Sequence, residues 1–325
     1  FIVKTPSFHN YKYSGKINFE KGAQVAREGA DEGMVLLKND GGVLPLRNVK
    51  TAAFFGMGSY RTLGTGWGSG TVNPDHCVNI VDGFKAAGIA CTPALKNIYE
   101  KMVEFADVRQ EAEHESDWGW GLGRAQYPEI TLNERAVTDQ AKAADVAVFT
   151  ITRQAGEGWD RSAGGDKGFN LTADEQRLLE RVSDKFHKEG KKVIVVINSG
   201  SVINTSSWKG LVDGILLAWQ PGEEAGHCVA DIVTGKVNPS GKLPMTWPND
   251  LMDHPSSKQF PTTAPDNDKV CRYKEGINVG YRYFETAGKA VSYPFGYGLS
   301  YTTFSYRDLK VKASGKGFTA QVTVI

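Results

Sequence analysis

One short stretch of the chain combines the residue types that acid–base chemistry requires. It reads Arg-Gln-Ala-Gly-Glu-Gly-Trp-Asp-Arg over residues 153–161. Glycines on both sides of Glu157 allow a sharp turn that projects its carboxyl group outwards, and a partly buried carboxyl can hold a proton near neutral pH and donate it to a leaving oxygen. Trp159 offers a flat face to a sugar ring, and Asp160 can pair with Arg161 to hold the loop. On these residues alone, a structural surface glutamate is the commoner case.

The loop that contains Glu157 follows an apolar run that predicts a buried strand. Residues 146–151 read Val-Ala-Val-Phe-Thr-Ile, and such near-continuous apolar and β-branched runs are typical of strands covered on both faces of a parallel sheet. Open α/β sheets place their functional loops at the carboxyl ends of such strands. We therefore predict that Glu157 lies at this edge of a sheet. The two charges that flank the loop, Arg153 and Lys167, are expected to be solvated.

The rest of the chain alternates short apolar runs with amphipathic stretches. This alternation predicts an α/β fold in which a mostly parallel sheet is sandwiched by helices. The predicted strands are 51–55, 146–151, 193–197 and 215–219, and the predicted helices are 20–38, 79–87, 96–112, 133–143 and 173–189. Thr172 and Glu175 form a capping-box pattern at the start of the last of these helices. Gly235 suits the end of a further helix that begins at Glu223.

Beyond Pro239 the sequence changes to glycine, proline and aromatic residues and then to a hairpin pattern. Residues 308–313 and 318–325 have the composition of strands and flank a Ser-Gly-Lys-Gly turn. Because two strands alone do not form a stable sheet, we expect them to be the first strands of an incomplete β-sandwich domain. The predicted organisation is an arm or linker over 1–18, an α/β sandwich domain over 19–302 and the beginning of the β-domain over 303–325.

The bulk composition excludes several classes of partner. A net charge of +1 gives no electrostatic footprint for nucleic acid or for an anionic membrane surface, and no apolar run has the length of a membrane span. The four cysteines and six histidines lack metal-ligand spacing, so we expect no metal site and interpret the thiols as buried or incidental. The composition is that of a soluble globular protein, and it leaves the compartment open.

Cofactor motifs are incomplete in this sequence. Gly56-Met57-Gly58 follows a predicted strand in the manner of a dinucleotide-binding loop, but Arg61 stands where the third glycine is needed. We therefore interpret this stretch as a tight strand-to-helix turn and expect no cofactor. His76 is expected to be a satisfied structural histidine rather than a ligand.

Several motifs, taken in order along the chain, resemble those of the family 3 glycoside hydrolases that act as β-glucosidases. Gly-Glu-Gly-Trp-Asp-Arg at 156–161, followed by Asn-Leu-Thr at 170–172, resembles the acid/base loop of that family. Gly-Ser-Gly-Thr-Val-Asn-Pro at 68–74 resembles the loop that reaches the sugar site. The other matching stretches are GMVLLKN at 33–39, LPL at 44–46, WQPGEEAG at 219–226, NPSGKLP at 238–244, VGYRY at 279–283 and FGYGLSY at 295–301.

The resemblance implies an active site that is shared between two domains. Members of the family carry an N-terminal (β/α)8 barrel, an α/β sandwich and a fibronectin type III-like domain, of which residues 303–325 would be the beginning. The barrel supplies the nucleophilic aspartate. Glu157 is implied to be the acid/base of a retaining enzyme that removes terminal β-D-glucosyl residues, with Ser69 as a sugar ligand and with Trp67 and Trp159 on the acceptor side. The implied partners are a β-glucoside and the barrel, without a cofactor, nucleic acid or a membrane.

Alternatives stay open at this stage. Another family 3 specificity, such as that of a β-xylosidase, fits because the sugar-selecting contacts belong mainly to the barrel. A non-catalytic carbohydrate-binding module built on the sandwich is the alternative from another class, and nucleotide binding is a third. Ser116-Asp117-Trp118 repeats the nucleophile motif of the family, but it follows a charged stretch rather than an apolar barrel strand. We therefore interpret Asp117 as part of a loop near the mouth of the site, or of an exposed excursion.

Overall fold

The fold is described by a computed structural model that covers residues 15–66, 70, 72, 74, 76–114 (109–114 by backbone only), 128–154, 161, 168–257 and 273–325. Its central sheet consists of the strands β1 (Val35–Asn39), β2 (Thr51–Phe55), β3 (Ala90–Cys91), β4 (Val146–Arg153), β5 (Lys192–Ser199) and β6 (Gly214–Leu217). The strands lie in the order β1-β6-β5-β4-β2-β3. Strand β1 is antiparallel to β6, and all the other neighbours are parallel.

The burial of the central strands follows from their sequences. All eight residues of β4 are buried, as are the last seven residues of β5. A strand with no exposed residue must be covered on both faces, which a parallel sheet achieves with helices on its two sides. The predicted class, a mostly parallel α/β sandwich, is therefore confirmed.

The helices fall into two contacting groups. Their bounds are α1 (Phe19–Gly33), α2 (Met57–Tyr60), α3 (Ile80–Ala86), α4 (Pro93–His114), α5 (Glu134–Ala143), α6 (Ala173–Lys188), α7 (Ala225–Thr234) and α8 (Tyr281–Thr286). Helices α1 and α3 contact α7, whereas α5 contacts α6. No helix among the described residues combines the length and the apolarity that crossing a membrane requires.

Two of the predicted helix ends are confirmed and one differs. The capping box of Thr172 and Glu175 opens α6, and Gly235 ends α7 with a φ of 77°, the left-handed conformation that favours glycine. Helix α7 begins at Ala225, since Glu224 is its N-cap residue and remains outside the helix.

The helix predicted over 20–38 is wrong in its last five residues. Helix α1 ends at Gly33, and Met34 takes an extended conformation before strand β1. Met34 and Leu37 continue the apolar helical spacing of α1, which misled the prediction. The competing signal is the continuous apolar run itself, because a strand inside the core needs apolar residues on both faces. The pairing of β1 with β6 decides the outcome.

The strand predicted over 215–219 stops at Leu217. Trp219 has a φ of 57°, which is rare for a bulky residue and ends any extended pairing. Its indole nitrogen donates a hydrogen bond to the carbonyl of Gly33 at 3.0 Å. This tertiary contact helps to hold a backbone conformation that the local sequence does not favour.

The C-terminal part of the described chain forms two small antiparallel sheets. One pairs β7 (Trp247–Pro248) with β8 (Val291–Tyr293), and the other pairs β9 (Tyr306–Ser314) with β10 (Gly317–Val324). The second is the predicted hairpin, which is confirmed with its turn at residues 315–316. Every residue of both strands is exposed. Its assignment to a larger β-domain stays a prediction.

Helices α3 and α7 approach so closely that glycine is required at their contact. A Cβ atom added to Gly226 would lie 1.8 Å from the carbonyl oxygen of Asn79. We expect Gly226→Ala to lower the free energy of unfolding by about 3 kcal/mol, because backbone atoms cannot rotate away from the methyl group. Gly29→Ala in α1 is the matched control, since nothing lies within 4 Å of its added Cβ. The control should be neutral or stabilise by up to about 1 kcal/mol. Urea unfolding measures both variants, and equal effects would contradict the close contact.

Candidate active site

The carboxyl ends of three parallel strands lie side by side where the Glu157 loop (residues 154–166) begins. Arg153 at the end of β4 pairs with Ser199 at the end of β5, and Ile197 pairs with Leu217 at the end of β6. The three following loops therefore leave the sheet at one edge. This edge is where open parallel sheets bind their ligands.

Arg153 is buried at the base of the Glu157 loop, so our prediction that its charge is solvated is wrong. Only 1% of its surface is exposed. Its guanidinium group donates to both carboxylate oxygens of Glu175, at 2.7 and 2.6 Å. It also donates to the carbonyls of Gly168 at 3.3 Å and Asn170 at 3.0 Å. A buried cation needs such partners, and here they lie just beyond the far end of the loop and in the first turn of helix α6. Lys167 lies outside the described residues.

Glu175 serves the loop and helix α6 at the same time. Its Oε2 atom accepts a hydrogen bond from the backbone nitrogen of Thr172 at 2.8 Å, which closes the capping box. The same carboxylate neutralises Arg153. The chain therefore leaves the sheet at Arg153 and returns to the guanidinium of that residue at 168–170. This arrangement holds Arg153 and residues 168–170, which flank the Glu157 loop, at one point of the sheet edge.

Arg161 is the one member of the Glu157 loop beyond Gln154 that the structure describes. Its Nη2 atom donates to the carbonyl of Val202, just beyond β5, at 2.5 Å. Its Nη1 atom is buried and has no hydrogen-bond partner among the described residues. Burial, together with the positive charge of Arg153, lowers the pKa of Arg161 to about 10. An anion beside this guanidinium would stabilise its buried charge. Asp160, its predicted partner, lies outside the described residues.

The residues that precede the sugar loop (residues 68–74) are fastened to the same edge. The side chain of Asn198 accepts from the backbone nitrogen of Leu63 at 2.7 Å and donates to the carbonyls of Leu63 and Trp219 at 2.9 and 2.7 Å. The nitrogen of Gly222 donates to the carbonyl of Gly64 at 2.8 Å. Asn198 pairs with Thr152 in the sheet, so the anchors of the two loops are neighbours.

The side chains that were predicted to act on the substrate lie outside the described residues. These are Glu157, Ser69, Trp67, Trp159 and Asp160, and the same holds for Asp117. Their roles stay predictions. The described residues place the anchors from which the two loops depart.

Three anchoring residues were missed by sequence reasoning. Arg153, Glu175 and Asn198 carry the contacts that join the loops to the sheet. The capping box marked Glu175 as a helix start, but no local pattern pairs a capping glutamate with an arginine 22 positions earlier. A charged residue at the end of an otherwise buried strand was the available signal, since such a charge needs a partner.

The Gly56-Met57-Gly58 turn already binds a carboxyl group of the protein itself. Glu129 accepts from the backbone nitrogens of Met57 at 3.1 Å and Ile130 at 3.0 Å. It also accepts from the hydroxyl of Tyr99 at 3.0 Å, and that hydroxyl in turn accepts from the nitrogen of Gly56 at 3.1 Å. The amides that a phosphate group would use are therefore occupied. The geometry favours the tight-turn interpretation over nucleotide binding.

Burial raises the pKa of Glu129 from 4.5 to about 7, against the effect of its three hydrogen-bond donors. The folded protein therefore binds a proton here more tightly than the unfolded chain does. The stability gained at low pH is lost as the pH rises through 7. We expect the free energy of unfolding to fall by up to about 3 kcal/mol between pH 4.5 and 7 from this group, at about 1.4 kcal/mol per pKa unit.

Urea unfolding of the wild type and of Glu129→Gln across that pH range measures this contribution. The variant should not show this fall in the free energy of unfolding. Other buried acids with a raised pKa, such as Asp31, contribute equally to both proteins. Parallel stability profiles would contradict the raised pKa of Glu129.

The family of the chain follows from a comparison with known proteins. A family model described as the glycosyl hydrolase family 3 C-terminal domain matches residues 34–301. The chain belongs to glycosyl hydrolase family 3. The matched range of this family 3 chain contains the whole central sheet, both loop anchors and helix α7. The family resemblance stated from its motifs is confirmed.

Individual relatives agree with this assignment. The family 3 chain is 38% identical to β-glucosidase A of Butyrivibrio fibrisolvens over 90% of its length, and 32% identical to an exo-α-(1→6)-L-arabinopyranosidase of Bifidobacterium longum over 98%. Among solved structures, β-glucosidase 3B of Thermotoga neapolitana in complex with glucose matches with a TM-score of 0.87 and 44% identity over 98% of the chain. The chain spans 36%, 38% and 44% of these three proteins.

Among the described residues of the family 3 chain, no group of three or more histidine, cysteine or acidic residues has a geometry that could hold a metal ion.

Proposed function

We propose that this chain is the acid/base-bearing part of a retaining β-glucosidase, with the nucleophile supplied by a (β/α)8 barrel. The observation that carries the proposal is the fastening of the Glu157 loop. Arg153 directly precedes that loop and donates to the carbonyls of Gly168 and Asn170 just beyond its other end, and it lies at the strand edge beside Asn198, the anchor of the sugar loop. Two loops that resemble the acid/base and sugar loops of the family thus depart from adjacent anchors.

Glu157 acts twice in this mechanism. As an acid it protonates the departing glycosidic oxygen while the barrel aspartate attacks the anomeric carbon and forms a glycosyl-enzyme intermediate. As a base it then removes a proton from the water that cleaves the intermediate, so the anomeric configuration is retained. The mechanism requires the two carboxyl groups to lie roughly 5–5.5 Å apart.

The anchoring contacts at the base of the Glu157 loop can hold its carboxyl group in the fixed position that this mechanism requires. A catalytic group that must meet a nucleophile from another domain has to be held within a fraction of an ångström, because small displacements cost large factors in rate. The bidentate bond of Arg153 to Glu175 gives a fixed geometry at the loop base. Within the loop, Arg161 adds a second fixed point on Val202, and we propose Asp160 as its partner. Ser69 then contacts the sugar, and Trp67 and Trp159 line the acceptor side.

Glucose is the proposed sugar, since β-glucosidases are prominent among the relatives. The arabinopyranosidase at 32% identity supports a second candidate, another family 3 specificity. A β-xylosidase belongs to the same alternative. The residues that select the sugar belong mainly to the proposed barrel, so a substrate panel has to separate these specificities.

The test uses the full-length protein that contains this chain. Native mass spectrometry, followed by the denatured mass, identifies the polypeptide that carries the barrel. A panel of nitrophenyl glycosides should then show the highest kcat/KM with the β-D-glucoside, and NMR should show that β-glucose is released first. Preference for a xyloside or an arabinopyranoside would select the second candidate. Sugar binding without turnover, with the barrel present, would overturn the enzymatic proposal and favour a binding module.

A further inference from the structure

A buried carboxylate lies between two histidines at the start of helix α7. Glu224 is 8% exposed, and each of its two oxygens meets one imidazole. Its Oε1 atom lies 2.6 Å from Nε2 of His76, and its Oε2 atom lies 2.5 Å from Nδ1 of His227. Burial acts to raise the pKa of Glu224, but the hydrogen bonds with His227 and His76 outweigh it and lower the pKa. The group is therefore an anion that the two imidazoles share, and Nη1 of Arg27 lies 3.7 Å from its Oε2 atom.

The two histidines join this carboxylate to different parts of the chain. His227 lies in the first turn of α7, three residues after Glu224, so its contact is local. His76 lies 148 positions before Glu224 and two positions after the end of the sugar loop. Its contact therefore connects the C-terminal end of that loop to a helix of the core.

Backbone hydrogen bonds hold the chain just beyond His76. The nitrogen of Val78 donates to the carbonyl of Glu223, and the nitrogen of Gly226 donates to the carbonyl of Val78, both at 2.8 Å. On the other side of the loop, Gly64 is fixed by Gly222. The contact of His76 with Glu224 adds a further attachment two residues closer to the loop than that of Val78.

The side chain of His76 contributes little to the packing of the core. Its side chain is 49% exposed, so it covers little of the core, and its described hydrogen bond reaches an ionised group. Hydrogen bonds to charged groups are stronger than those between neutral groups. A residue of this kind fixes a position rather than filling space.

We propose that His76 is a positioning residue that sets the C-terminal end of the sugar loop through Glu224, and so controls substrate affinity. The inference rests on the proposed function, in which Ser69 of that loop contacts the sugar. Displacing the loop end weakens a contact that is made in the bound substrate and in the transition state alike. Such a loss raises KM and leaves kcat nearly unchanged.

Steady-state kinetics of the full-length enzyme on the β-D-glucoside test this role. We expect His76→Ala to raise KM about tenfold, the lower end of what a lost charged hydrogen bond costs, with kcat within about twofold. His76→Gln should keep KM near that of the wild type, because its amide nitrogen reaches the place of Nε2. His227→Ala is the matched control, since it removes a bond to the same carboxylate from the helix side and should leave KM unchanged.

An unchanged KM in His76→Ala, or an equal rise in His227→Ala, would overturn the inference while leaving the proposed function intact. An inactive wild type would count against the proposed function instead. The positioning role is then decided by hydrogen exchange of the peptide that spans 66–78. Exchange should be faster in His76→Ala than in His227→Ala, and equal exchange in the two variants would overturn the inference without any activity measurement.

Discussion

Replacement of Glu157 by alanine is expected to lower kcat by about 10³-fold on glucosides with poor leaving groups. Departure of an alkoxide or a sugar hydroxyl requires a proton, and this variant has none to give. A dinitrophenyl leaving group departs without protonation, so the first step on that substrate should be nearly intact and the slow step becomes attack by water. Steady-state and pre-steady-state kinetics on a series of aryl glucosides measure this difference between poor and good leaving groups. The rate of the first step in the variant should depend steeply on the pKa of the leaving group.

Azide separates an acid/base from a residue that only supports the loop. Small anions need no general base, so azide should restore turnover of Glu157→Ala on activated substrates and release β-glucosyl azide. Asp166→Asn, which removes another carboxyl group of the same loop, is the control and should keep the behaviour of the wild type. Uniform loss on good and poor leaving groups, without rescue, would contradict the acid/base role of Glu157.

The second large effect is expected when the buried ion pair of Arg153 and Glu175 is broken. Arg153→Met should lower the free energy of unfolding by about 3–5 kcal/mol, because it leaves the carboxylate of Glu175 buried without its cation. It should also lower kcat/KM strongly, since the carbonyls of Gly168 and Asn170 lose the donor that fixes the far end of the loop. Urea unfolding and hydrolysis of the β-glucoside measure the two effects separately.

A double variant distinguishes lost stability from lost positioning. Arg153→Met with Glu175→Gln removes the uncompensated charge, and glutamine retains the capping interaction with Thr172. We expect the double variant to recover at least about half of the lost stability while kcat/KM stays low. Recovery of activity together with stability would show that Arg153 matters only for folding.

Local pattern was sufficient for most of the secondary structure. Strands β4 and β5 were predictable because a run of apolar residues longer than a turn can be satisfied only inside the core. The start of α6 and the end of α7 were predictable because a capping box and a left-handed glycine are each decided by a few adjacent residues. The final hairpin belongs to the same class, since its strands and its turn are contiguous.

The prediction failed where a distant contact outweighed the local pattern. Met34 and Leu37 continue the helical spacing, yet the strand 35–39 pairs with β6, which lies about 180 positions later in the chain. Trp219 looked like the end of a strand, but its contact with Gly33 accompanies a left-handed turn. Arg153 was expected to be solvated, but only 1% of its surface is exposed.

The sequence by itself determined the family, the α/β class and the identity of the candidate acid/base, because these depend on motifs whose residues are adjacent. Only the tertiary structure decided how the loops are held. Arg153 meets Glu175 and residues 168–170, Asn198 meets Leu63 and Trp219, and His76 meets Glu224. Each pair is separated along the chain and is brought together by the packing of strands, helices and loops in the fold. Electrostatic and hydrogen-bonding partners depend on distance in space, and the linear pattern does not contain that distance.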